Sequence, residues 1–299
     1  MRMLQRSDIK RSLKCGISLL EFILSAIGDF LLHLFGKERK ACCVILYYHS
    51  IPAEQRTQFA NQLEIILRHA TPIVVGDTII FEAGRRYVGV TFDDGFENFA
   101  EIALPELSKR TIPSTVFIIA DALGKAFGPQ GRSEKVMSAQ QIRALPLDLV
   151  TIGSHTSSHP FLPHLSENDA RREITRSRAQ LEEILDRKVL LFSFPFGAFN
   201  DNLVDICREA GYRRVFTTLP KFAFEEPDEF EVGRVRVDPT DWPLEFRLKL
   251  AGAYRWLPMA FAIKRKMMSS RATRWLLERN YSLESSSGRQ SVIQDPGSH

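Results

Sequence analysis

Two adjacent carboxylates, Asp93 and Asp94, close an apolar run from Tyr87 to Phe92 and are followed by Gly95. Such a run reads as a buried strand. Neighbouring strand residues point to opposite faces, so two acids in succession at a strand end make poor core material. They suit a site in which one carboxylate grips a metal ion and the other stays free as a base. Further along, His155 and His159 stand four apart in Ser154-His155-Thr156-Ser157-Ser158-His159-Pro160, directly after the apolar run Leu149 to Ile152. Asp, His and His form a three-ligand set that leaves a catalytic zinc an open position for water. Taken singly, Asp93-Asp94-Gly95 reads as a turn and the two histidines as loop residues. Together, at two strand ends, they argue for hydrolysis by metal-activated water.

These residues resemble the motifs of the polysaccharide deacetylase family, the NodB-homology carbohydrate esterases. The T-F-D-D-G motif is matched by Thr91 to Gly95 and H-[ST]-x-x-H by His155 to His159. A proline-aromatic-glycine turn is matched by Phe194-Pro195-Phe196-Gly197, and D-x-x-D-W by Asp238 to Trp242. The resemblance covers roughly Cys42 to Trp242. It implies removal of an N-acetyl group from a sugar of a polysaccharide, oligosaccharide or lipid-linked glycan. It implies a divalent metal, usually zinc, on Asp94, His155 and His159, with Asp93 as general base. The backbone N–H of Phe196 would meet the developing oxyanion, with Pro195 and Gly197 shaping the turn and Asp238, Asp241 and Trp242 supporting the site.

Two departures from the family pattern stand out. Many members carry an arginine ahead of the proline turn to orient the base; here Ser193 and Phe194 occupy that place, and Arg234 or Arg236 is the candidate substitute. The L-x-H motif that usually supplies a histidine acid is also missing, since the only histidine after Trp242 is His299. His49, ending the first strand in a Tyr-His pair, is the replacement. In a closed barrel the first and last strands are neighbours, so His49 can fill the space of the missing acid.

The elements that must position these residues alternate from Cys42 onward. Strands are expected at 42–48, 72–75, 87–92, 114–119, 149–153, 189–194 and 214–218, and helices at 58–69, about 97–109, from Ser138, from Ser166 to about 186, and from Asn200 to Gly211. Site residues at the C-terminal ends of strands in repeated βα units describe an α/β fold of barrel type. The resemblance makes it a distorted (β/α) barrel of about seven βα units.

The ends of the chain differ from its middle. Leu13, Ile17, Leu20, Leu24, Ile27, Leu31 and Leu34 recur at helical spacing, beside a narrower stripe of Lys14, Ser18, Glu21, Ser25, Asp29 and His33. A membrane-spanning helix would bury Glu21 and Asp29, at roughly 2.5–3.5 kcal/mol for an Asp at mid-bilayer. The segment therefore reads as an amphipathic helix lying in an interface, with a signal anchor and a helix packed on the catalytic domain as alternatives. Phe246 to Met268 mixes aromatic, apolar and basic residues in a similar way. The expected organisation is a helical segment at 1–40, the catalytic domain at 41–243, a basic amphipathic extension at 244–281 and a disordered tail at 282–299.

The net charge of +4 is mild and concentrated at the two ends, Arg2 to Lys14 and Lys264 to Arg274. That placement points to an anionic membrane surface, peripheral on the cytoplasmic face or anchored with the domain outside, and no nucleic-acid signature accompanies it. The four cysteines show no metal-type spacing. Two other readings stay open: a deformylase or amidase on a lipid-linked sugar, and a catalytically impaired glycan-binding relative.

Overall fold

The computed structural model describes residues 6–77, 80–128, 133–226 and 228–260. The expectations for Arg2, for 261–281 and for the tail from 282 lie outside the described residues. The chain divides into two compact units, Met1–Arg255 and Trp256–His299.

The first unit is built on a parallel sheet. Strands β1 (Cys42–Tyr48), β3 (Arg86–Phe92), β4 (Ser114–Ile118), β7 (Val150–Ser154), β8 (Leu191–Ser193) and β9 (Arg214–Phe216) lie side by side in the order β9-β8-β7-β4-β3-β1. The short β2 (Thr71–Ile73) pairs with Tyr87 to Gly89 of β3, while β4 takes the same strand from Val90 onward. The edges are the informative part. β10 (Glu231–Val232) pairs with β9 and β11 (Val235–Arg236) pairs with β1, at opposite ends of that order. Only Gly233 and Arg234 separate β10 from β11. Three residue steps span at most about 11 Å, so the sheet must curl until its two edges almost meet. Counting β10 and β11 as one broken strand gives seven staves, with β1 beside the last, as expected for a distorted barrel.

Helices pack outside the sheet: α2 (Arg56–His69), α3 (Leu104–Ser108), α4 (Ala139–Arg143), α5 (Glu167–Leu185), α6 (Asp201–Glu209) and α7 (Pro243–Leu250). Their starts follow local chemistry. Ser138 and Gln141 close a capping box on α4, and Ser166 and Asn200 cap α5 and α6 by accepting the N–H of Asp169 and Leu203. The helix expected over 97–109 opens as a wide turn at Phe99–Ala103 before α3. Pro105 has no N–H to return to Glu101, which loosens the ladder there. A small antiparallel pair, β5 (Ala126–Phe127) and β6 (Glu134–Lys135), lies between β4 and β7 in the chain.

Two features of the ends differ from expectation. The first unit runs to Arg255 instead of stopping at 243. Phe246, Leu248 and Leu250 of α7 are buried, and Phe246 and Leu250 join the main core, so this apolar pattern covers the barrel wall. The N-terminal helix α1 (Arg6–Leu34) packs on the domain with its polar side. Ser18 is buried there, Arg11 pairs with Glu245 at 2.6 Å, Glu21 with Arg255 at 2.5 Å, and Asp29 with Arg39 at 2.6 Å. Leu13, Leu20, Leu24, Ile27, Leu31 and Leu34 face outward and are exposed.

Candidate active site

Asp93 and Asp94 follow the end of β3 and meet different partners. Asp93 is buried, and its two oxygens accept from the Arg234 guanidinium at 2.7 and 2.8 Å. Arg234 is fully buried and also donates to Ser193 Oγ, Thr91 Oγ1 and the Thr217 carbonyl. Its plane lies over the ring of Tyr47 at 4.7 Å and near Phe117 at 5.3 Å. Burial alone would raise the Asp93 pKa, but Arg234, helped by His155, holds it down to about 2. Asp93 is therefore an ionised carboxylate at neutral pH.

Asp94 has the opposite environment. Burial, then the Asp93 charge and Glu134, push its pKa up to about 7. Its Oδ1 is buried without a hydrogen-bond partner. Two ring nitrogens face that oxygen, His155 Nε2 at 3.6 Å and His159 Nε2 at 3.5 Å. Burial lowers both histidines, His155 to about 3, so the rings are neutral and these approaches are converging donors rather than ion pairs. The candidate ligand atoms all lie within 4.8 Å of one another, compatible with zinc bonds of about 2 Å. An orphaned carboxylate oxygen facing two neutral imidazoles fits a divalent cation.

Neighbouring backbone and hydroxyl groups orient these donors. The His155 Nδ1 hydrogen-bonds the Ser193 carbonyl at 2.7 Å, which turns Nε2 toward Asp94. Thr156 Oγ1 accepts the His159 N–H and donates to the His155 carbonyl, bracing the loop between the two rings. Asp94, Thr156, His159 and Phe196 all take positive φ values, between 59° and 69°. Left-handed conformations at non-glycine residues cost roughly 1–3 kcal/mol each and collect where a site over-determines them.

The turn after β8 places Phe196 at the mouth. Pro195 is buried, the Phe196 ring is exposed, and its edge meets His159 at 4.6 Å. The N–H groups of Gly197 and Ala198 donate back to Phe194 and Pro195, which leaves the Phe196 N–H outside the turn's own bonding. Gly197 is required: its φ is +63°, and a Cβ would meet Thr218 Oγ1 at 1.9 Å.

These groups line one cleft of about 720 Å³, with Asp93, Asp94, His155 and His159 at the base and Phe127 and Phe196 among the aromatic walls. His49 and Arg236 line it as well. Burial lowers the His49 pKa, with Asp93 opposing and Arg236 and Arg234 assisting. Its value thus lies below that of an ordinary imidazole.

Of the two candidate arginines, Arg234 takes Asp93 and Arg236 the cleft wall. The D-x-x-D-W residues lie elsewhere. Asp238 accepts from Thr240, Asp241 pairs with Lys249 at 2.7 Å, and Trp242 lies under the Arg11 guanidinium at 4.5 Å. None of these three lines the cleft. Asp241 and Trp242 tie the end of the barrel to α7 and α1, and Asp238 braces the turn before them. Sequence reading missed Ser193, which serves both His155 and Arg234. Its signal was its small size at the position where a family arginine is expected: the space it vacates is the space Arg234 enters.

Residues 82–215 match the polysaccharide deacetylase family model. Over this stretch the chain is similar to polysaccharide deacetylases. Among solved structures the chain is similar to IcaB from Ammonifex degensii, at 28% identity and a TM-score of 0.62, covering 72% of this chain and 98% of that one. The Streptococcus pyogenes deacetylase PplD shares the fold at 20% identity and a TM-score of 0.59, over 70% and 98% of the two chains. Among curated relatives, YxkH of Bacillus subtilis is 27% identical over 155 residues, 52% of this chain and 53% of that one. The poly-β-1,6-N-acetyl-D-glucosamine N-deacetylase of Staphylococcus epidermidis is 24% identical over 163 residues, 51% and 55% of the two. The chain thus spans about half the length of these curated relatives. The deacetylase domain match begins at the edge of β3 and ends in β9, so it contains the Asp pair, both histidines and the Phe196 turn.

Proposed function

We propose that the chain is a metal-dependent N-deacetylase acting on an N-acetylated glycan. One observation carries this reading: an ionised Asp93, fixed by a buried arginine, stands beside an unpartnered Asp94 oxygen that faces two neutral histidines. Asp94, His155 and His159 would hold the ion, and zinc suits two imidazoles and a carboxylate. When bound, that ion supplies a Lewis acid for a water molecule and for the acyl oxygen.

The chain's own residues do the rest. Asp93 accepts the proton of the attacking water, which its pKa of about 2 and its fixed rotamer permit. The Phe196 N–H faces the acyl oxygen as negative charge builds there. His49 delivers the proton that the leaving nitrogen needs, since an amine anion is a very poor leaving group. The aromatic walls give a sugar ring apolar faces to lie on. The curated relatives named as poly-β-1,6-N-acetyl-D-glucosamine N-deacetylases make an oligomer of that sugar the first substrate to try.

Location follows from α1. Its polar side is fixed by ion pairs to the domain, and its apolar side is exposed along 29 residues. The helix is long and apolar enough to cross a membrane. Its paired Glu21, Asp29 and Arg11 favour lying in the interface instead, with the domain peripheral on an anionic surface. This placement also favours a second reading, an amidase or deformylase on a lipid-linked sugar. A product assay on metal-loaded protein separates them. Acetate released from N-acetylglucosamine oligomers supports the first, formate from an N-formyl sugar supports the second, and no release from either contradicts both.

A further inference from the structure

The end of the barrel away from the catalytic residues holds a second cavity, about 420 Å³, between α1, α7, the end of α2 and the start of β3. Its walls are Leu19 and Phe22 of α1 and Leu244 and Leu248 of α7. Two guanidinium groups, Arg86 and Arg247, enter it beside the His69 imidazole, and no carboxylate lines it. Neither Arg86 nor Arg247 has a side-chain hydrogen bond or ion pair among the described residues. Asp29, the acid acting on Arg86, is already paired with Arg39 at 2.6 Å. The His69 pKa is lowered by burial and then by Arg247, Arg86 and Arg68, so its ring is neutral and the positive charge at this spot is that of the arginines.

Solvated surface arginines are common and need no ligand. This pair is different in its setting. The guanidinium groups share a cavity with apolar side chains, and that cavity borders a helix whose outer face is exposed hydrocarbon. Arg86 is half-buried and Arg247 exposed, so both are reachable by an outside anion, and Arg suits the oxygens of a phosphate. A free phosphate would leave the apolar walls without a purpose. A phosphate carrying acyl chains uses both parts at once.

We propose that this cavity binds the phosphate headgroup of an anionic phospholipid, with the acyl chains lying against the exposed face of α1. The site rests on the reading that α1 lies in a membrane, and adds a discrete lipid position to it. It lies away from the catalytic cleft, so a bound lipid fixes the domain on the surface without touching the reacting groups.

The test is sedimentation of the full metal-loaded chain with vesicles of phosphatidylcholine alone or with added phosphatidylglycerol. Wild type should bind both and prefer the phosphatidylglycerol vesicles. The double variant Arg86→Gln/Arg247→Gln should lose about tenfold to thirtyfold of that preference, since each basic group near an anionic surface contributes modestly. Its binding to phosphatidylcholine, metal content and acetate release from a soluble oligomer should stay as in wild type. Arg86→Lys/Arg247→Lys should keep part of the preference, which separates lost charge from lost fold. An unchanged preference in the glutamine variant would overturn the site. So would an equal loss from Lys14→Gln/Lys37→Gln, which would mark the attraction as diffuse. Loss of the preference in millimolar inorganic phosphate at constant ionic strength would assign the cavity to free phosphate, against the lipid. Wild-type chain that binds neither vesicle would overturn both the site and the membrane reading of α1. Binding to both without preference would overturn the site alone.

Discussion

Two neighbouring aspartates with opposite titration behaviour are the feature on which the chemistry turns. Arg234 holds Asp93 ionised, while burial and the Asp93 charge keep a proton on metal-free Asp94 up to about pH 7. A cation must displace that proton. Metal affinity should therefore fall steadily as pH drops below about 7, and a competition titration against a coloured chelator at pH 5.5, 6.5 and 7.5 checks it. A pH-independent affinity would place the metal elsewhere. Asp93 also contributes to stability. Its folded pKa is depressed, so the contribution is present above the unfolded value near 3.8 and disappears as pH falls toward 2. Arg234→Gln leaves the Asp93 charge buried without its partner and should cost about 3–5 kcal/mol in denaturant unfolding. The same change should move the acid limb of the pH–rate profile upward. An unmoved limb would mean that Arg234 is only a structural group. The grouping of Asp93, Asp94, His155 and His159 was legible in the sequence because an Asp pair and two histidines at strand ends have few other uses. The choice between Arg234 and Arg236 was not, because it depends on which side of the curled sheet each faces and on the space left by Ser193.

At the scale of elements, the site is the work of short, strained connections after β3, β7 and β8. The Phe196 turn is the most exacting. Gly197→Ala places a Cβ against Thr218 at a positive φ, and should lower both turnover and melting temperature. Normal turnover in that variant would remove the backbone donor from the account. His49 at the end of β1 faces the same cleft, and His49→Ala should keep the metal while turnover falls by about 10²-fold or more. Because an acid must carry its proton, loss of His49 should also abolish the alkaline limb; a surviving limb would point to another donor. Strand ends and caps were readable from apolar runs and from Ser138, Ser166 and Asn200. The orientation of α1 was not. Its stripe of polar residues meets partners far along the chain, Glu245 and Arg255, and periodicity gives no sign of such partners.

For the whole molecule, the alternation of strands and helices was enough to give the class of fold, because each apolar run had one layer it could fill. Closure was not legible. It depends on β10 and β11, two-residue strands too short to register as a pattern, joined through Gly233 and Arg234. That break is also what sends Arg234 into the barrel, so the element that closes the sheet delivers the partner of the base. Metal removal should abolish turnover and leave this frame folded, since the sheet and core clusters do not include the ligand atoms. The proposed chemistry needs separate residues for metal and for base. The most direct measurement is acetate release from an N-acetylglucosamine oligomer by metal-loaded Asp93→Asn beside wild type, with metal content determined on the same samples. The account predicts one equivalent of metal in both proteins and a rate lower by about 10²–10⁴-fold in the variant. A variant that keeps its metal and hydrolyses the oligomer at the wild-type rate would contradict it.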